Sequence, residues 1–107
     1  MLIVTTNDLQ DKKLKYLGIV TGEVILGANF FKDFMAGITN VLGGRSGQYE
    51  SSLEEARKSA MREMEQRAAK MGANAIIAVD IDYETITTDG SSMLMVACSG
   101  TAVVVEN

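Results

Sequence analysis

The stretch SSLEEARKSAMREMEQRAAKMGANAIIAVDID, residues 51–82, contains the change of period that decides the fold. Leu53, Ala56, Ala60, Met64, Ala68 and Met71 recur at steps of three and four, so the spacing predicts an amphipathic helix with one buried stripe. Glu54 and Glu55 stand in its first turn and Arg67 and Lys70 in its last, both placed to oppose the helix macrodipole. Glu54 with Lys58 and Glu63 with Arg67 form i to i+4 pairs in the favourable order. At 1.5 Å per residue such a helix is about 30 Å long, enough to cross three or four strands. Gly72 is its natural stop, because glycine takes the left-handed conformation without a Cβ penalty. Within three residues the period becomes two. Residues 75–84 read as a strand with Ile77, Val79, Ile81 and Tyr83 on one face and Ile76, Ala78, Asp80, Asp82 and Glu84 on the other.

Downstream, Asp89-Gly90 is the strongest short hairpin signal in the chain. A two-residue turn there sets Ile81 opposite Cys98, Asp82 opposite Ala97 and Tyr83 opposite Val96, with Leu94, Val96 and Cys98 facing the helix. The returning strand, residues 93–105, is apolar on both faces. One carries Leu94, Val96, Cys98, Ala102 and Val104; the other carries Met93, Met95, Ala97, Val103 and Val105, interrupted by Ser99 and Thr101. Antiparallel sheets with one wet face alternate cleanly, so this pattern predicts cover on both sides. The long helix supplies one. The other is expected from a second helix or from a neighbouring subunit.

Upstream, residues 2–5 form a short β-prone run and residues 7–15 a polar loop. Residues 16–26, YLGIVTGEVIL, are β-branched and apolar, and Gly18 and Gly22 inside them point to a bulge, a bend or another backbone passing close by. Asn29 is placed to cap a helix over residues 30–42, whose apolar positions Phe30, Phe31, Phe34, Met35, Ile38, Val41 and Leu42 keep helical spacing. Its polar side lacks the basic residues of a membrane-surface helix, so packing against core or subunit is the better reading. The glycine-rich segment 43–50, GGRSGQYE, joins it to the long helix, which either Ser46 or Ser51 is placed to cap.

The 107 residues are 47% hydrophobic and read as a single domain over 1–107. A net charge of −4 with interspersed signs leaves no basic patch, so nucleic acid is not an expected partner. No apolar run reaches the roughly 18 residues a membrane span needs, and no leader pattern opens the chain, which predicts a cytoplasmic protein that does not bind membrane. One cysteine, Cys98, excludes an intrachain disulfide. The absence of histidine removes the commonest general base and the commonest transition-metal ligand together.

Taken together, GEVILGANFF, GGRSGQYE, GANAIIAVDIDYE and SSMLMVACSGTAV make the whole chain resemble the YbjQ family of small bacterial proteins. The resemblance implies an α+β fold, a dodecin-like β-α-β-β subunit with its long helix on an antiparallel sheet, plus an additional short helix and short accessory strands. It also implies assembly into a homopentamer. The family carries a heavy-metal-binding label and brings no catalytic residues with it.

Two sets of side chains are candidates for a site. Asp80, Asp82 and Glu84 line one strand face about 7 Å apart, and the simpler reading is that they are solvated or pair with Arg45 or lysines across an interface. Carboxylate oxygens suit hard divalent cations, and a second strand or subunit would have to complete the shell. Soft heavy metals prefer thiolate and imidazole, of which the chain offers one cysteine and no histidine. Arg45, Ser46 and Gly44 could receive a carboxylate or phosphate near a helix N-terminus, although the loop lacks the Lys-Ser/Thr of a P-loop. Met61, Met64, Met71, Met93 and Met95 fall on a helical stripe or a strand and read as packing, and Cys98 reads as a small buried hydrophobe. Two functions remain: an oligomeric module that binds a cation or small anion between subunits, or a metal-assisted hydrolase using Asp80 and Asp82. The missing histidine and nucleophile motif favour the first.

Overall fold

The computed structural model describes residues 1–27 and 47–106, with side chains omitted for 47–51. The expected helix over 30–42 and the loop holding Gly44, Arg45 and Ser46 lie outside the described residues. In chain order the elements are β1 (Leu2–Ile3), β2 (Lys13–Leu26), α1 (Gly47–Lys70), β3 (Ala75–Thr88) and β4 (Ser91–Glu106). The four strands form one sheet in the order β1-β3-β4-β2. β4 runs antiparallel to both β2 and β3, while β1 lies parallel to β3, so the sheet is mixed rather than purely antiparallel.

The helical stripe behaves as its spacing demands. Ala56, Ala60, Met64 and Ala68 are buried, with Met64 at 0% exposure, and the last three form one core cluster with Val20, Ile76, Val79, Cys98 and Ala102 of the sheet. Glu54 pairs with Lys58 at 3.2 Å, and Glu63 with Arg67. α1 already runs at Gly47, so Ser51 lies within the helix and is not its cap; Ser46, in the right place in sequence, lies outside the described residues. The other end closes around Gly72 at φ 91°. The Gly72 amide donates to Ala69 O at 3.0 Å and the Ala73 amide to Ala68 O at 3.1 Å, the paired bonds of a Schellman ending. Met71, counted in the stripe by spacing, is exposed at that end.

Both glycines of β2 have the roles their position implies. Gly18, at φ 138°, sits at a shift of register against β4. A Cβ on Gly22 would overlap the carbonyl oxygen of Ala60 and stand 2.8 Å from the Met64 amide nitrogen, so the absence of a side chain is what lets α1 settle on β2. β2 also begins earlier than expected. Lys13 pairs with Glu106 and Leu14 with Val105, so residues 13–15 are edge strand rather than loop, lysine being a common guard of an exposed edge.

The hairpin register is as expected residue for residue: Ile81 opposite Cys98, Asp82 opposite Ala97, Tyr83 opposite Val96, closed by Asp89 and Gly90 at positive φ. Further up β3 the expected facing fails. Between Ile77 and Asp80 the strand carries one extra residue against β4, with Ala78 at φ 55°. That bulge turns Ile76 onto the helix face, with Val79 and Ile81, and sends Ile77 to the opposite face with Ala75 and Val103. The N-terminal chain stitches onto the bulge: the Ala78 amide donates to Thr6 O at 2.8 Å and the Val79 amide to Val4 O at 3.1 Å. Val4 and Leu9 then fold over Ala75, Ile77 and Val103. Part of the second face is thus covered by the chain's own first residues, a source of cover not foreseen in the pattern.

Candidate functional site

β4 is flanked on both sides between Leu94 and Val103, so the residues of its second face there stand in the middle of rows across the sheet. Thr21-Ser99-Asp80, Glu23-Ala97-Asp82 and Ile25-Met95-Glu84 are three successive rows, and Ile19-Thr101-Ile77 lies beside them towards the covered end. The acidic trio of β3 therefore shares its face with Glu23 of β2, directly across Ala97 from Asp82. Sequence patterning missed Glu23, since only the β2–β4 register brings it there. Thr21, Glu23, Asp82, Met95, Ala97, Cys98 and Ser99 line a shallow depression of about 280 Å³.

This face is open. Ile19 is 82% exposed, Tyr16 67% and Ile25 55%, and all three belong to β2. Asp80, Asp82 and Glu84 are exposed as well. The Asp82 carboxyl is lifted above the ordinary carboxylate range, first by a hydrogen bond with Asp80 and by that neighbour's charge, with smaller contributions from desolvation and Glu84. Glu23 has a cation: Arg67 of α1 stands 3.6 Å from its carboxylate and donates to Thr21 O at 2.9 Å, tying the helix to the sheet edge. Among the described residues no three acidic, cysteine or histidine side chains converge as a metal site within one chain.

Cys98 sits on the other side of the sheet, 3% exposed in the helix-facing core, its thiol 3.6 Å from Gly22 O. Burial pushes the thiol's pKa up, against the formation of a thiolate. Met64 is core, and Met61 packs against the same cluster. Met93 and Met95 are half-buried on the open face. Among the described residues a soft heavy metal therefore finds no accessible thiolate and no imidazole: the single thiol is buried and its pKa raised, and histidine is absent from the sequence. Arg45, Ser46 and Gly44 lie outside the described residues.

A second concavity lies on the far flank. α1 and the outer side of β3 enclose a groove of about 320 Å³ lined by Arg57, Lys58, Met61, Arg62, Glu65 and Ile81. Arg57 reaches from it to the Tyr83 hydroxyl at 3.4 Å. No helix among the described residues is long and apolar enough to cross a membrane.

A family model described as "Putative heavy-metal-binding" matches residues 1–106. A UPF0145 protein of Acetivibrio thermocellus is 60% identical over 107 residues, spanning 99% of this chain and 100% of the relative. A UPF0145 protein of Pasteurella multocida is 50% identical over 107 residues with the same coverage. Among solved structures, a protein of unknown function of the DUF74 family from Pediococcus pentosaceus superposes with a TM-score of 0.66 at 15% identity, covering 99% of this chain and 98% of that one. That likeness speaks for the fold.

Proposed function

The chain belongs to the YbjQ family, and from that premise we propose that it is a non-catalytic binding module that works as a homo-oligomeric ring and holds a hard divalent cation on the open face of its sheet. The observation that carries this reading is the make-up of the open face, where exposed Tyr16, Ile19 and Ile25 adjoin Asp80, Asp82, Glu84 and Glu23. Leaving a large apolar side chain in water forgoes about 1.5 to 3 kcal/mol, so a second copy gains by covering it. The same closure takes the carboxylates out of water, which is costly unless each finds a counter-charge. The oxygen donors of Asp80, Asp82 and Glu84, in a row along β3, suit Mg²⁺ or Ca²⁺, with a second subunit completing the shell. A subunit number of five and a dodecin-like chain fold rest on the family resemblance, and a reducing cytoplasm accords with the single unpaired cysteine.

Native mass spectrometry of protein purified without tag or chelator tests both halves at once. The expected result is a closed oligomer that retains a hard cation or takes one up from Mg²⁺ or Ca²⁺, with a melting temperature that rises with the cation because only the folded state binds it. A bare monomer contradicts the reading. Tight stoichiometric Cu⁺ or Zn²⁺ binding that disappears in Cys98→Ser contradicts the assignment of metal class.

A further inference from the structure

The two flanks of the subunit differ in a complementary way. On the β3 flank the groove has an apolar floor, Met61 and Ile81, and a rim of three cations, Arg57, Lys58 and Arg62, with one acid, Glu65, which stands 3.6 Å from the N-terminal ammonium. β1 and the residues after it occupy the outer edge of β3 only as far as Val79, so among the described residues no strand runs beside Ile81 to fill that groove. On the opposite flank β2 presents a ridge on the open face, Ile19, Thr21, Glu23 and Ile25, in which a carboxylate stands between two exposed isoleucines.

We propose that the β2 ridge of one copy docks in the α1–β3 groove of the next, with Glu23 turned to the guanidinium rim and isoleucine on the Met61–Ile81 floor. The proposal rests on the reading that the chain assembles and names the two surfaces that meet. Each surface joins an apolar part to a charged part, and the charges are of opposite sign, which fixes register as well as partner. An isologous contact between two open faces lacks this match: it sets Asp80, Asp82, Glu84 and Glu23 of one copy against the same acids of the other. Two different surfaces in contact make a head-to-tail interface, the kind that closes into rings. The present partner of Glu23 is no obstacle, since the Arg67 pair is long and half-exposed on both sides, and such pairs exchange readily.

The test uses two variants of the full chain, each altered only at exposed positions. One carries Ile19→Asp with Ile25→Asp on the ridge, the other Arg57→Glu with Arg62→Glu on the groove, so that the altered ridge and the altered groove also repel each other. Sedimentation velocity is expected to show each alone as a folded monomer where the unaltered protein is fully assembled. Mixed in equal amounts they are expected to form a dimer and nothing larger, because one intact ridge meets one intact groove and the remaining ends are blocked. Arg57→Lys with Arg62→Lys keeps the charge and is expected to assemble. If the groove variant assembles like the unaltered protein, the ridge docks elsewhere and the proposal is overturned while assembly itself stands. Two monomeric variants that do not combine on mixing overturn the head-to-tail arrangement. An unaltered protein that is itself monomeric overturns both this inference and the reading beneath it.

Discussion

Gly22 shows how much a single missing side chain can decide. A methyl group there meets the backbone of α1 rather than a flexible side chain, so relief requires moving the helix. Gly22→Ala is expected to cost about 1 to 3 kcal/mol or more in denaturant unfolding, the usual cost of overpacking, while Gly27→Ala, with nothing among the described residues within 4 Å of its Cβ position, is expected to change little. Asp82 gives a prediction of opposite character, on charge rather than space. Its carboxyl pKa is raised in the folded protein, so between the ordinary value of about 3.9 and the raised one the folded state holds more protons than the unfolded state. Stability then falls as pH rises through that window, and the loss is complete above it. Asp82→Asn is expected to remove this part of the slope in melts across the acid range; a slope unchanged in the variant would show that the Asp80–Asp82 pair is not its source.

At the scale of elements, the bulge in β3 is the feature on which the two faces of the sheet turn. Ala78 holds a φ of 55°, a conformation that costs a residue with a Cβ roughly 1 kcal/mol. Ala78→Gly is expected to be tolerated or to gain up to about 1 kcal/mol, and Ala78→Val, β-branched at the same φ, to lose about 1 to 2 kcal/mol by chemical denaturation. The bulge was not legible in the sequence because AIIAV is apolar in both phases, so a slip of one residue leaves the pattern unchanged. Where the pattern had contrast it sufficed. The helix stripe, the stop at Gly72 and the pairing of Ile81 with Cys98 all follow from spacing and turn chemistry. The parallel pairing of β1 and the cover given by Val4 and Leu9 depend on contacts some seventy residues or more apart in sequence, which no local pattern encodes. The candidate site divides in the same way. Its β3 carboxylates stand out as alternating acids, whereas Glu23 joins them only through two registers across β4.

At the scale of the whole molecule, a core without a buried polar side chain among the described residues meets a second face that is part covered and part open. A domain of this size is stable by only about 5 to 15 kcal/mol, so several exposed isoleucine and tyrosine side chains are a substantial fraction of what holds it. The edges add to the demand for a partner, since the chain contains no proline to guard them and β2 relies on lysines and on Arg67 at Thr21. The proposed assembly would answer both needs and would make the acidic rows an interface property. Sedimentation equilibrium of the unaltered protein at micromolar concentration tests this most directly. The account predicts a single closed oligomer whose mass is an integral multiple of the chain and does not fall on dilution through that range; a well-folded species of single-chain mass would contradict it.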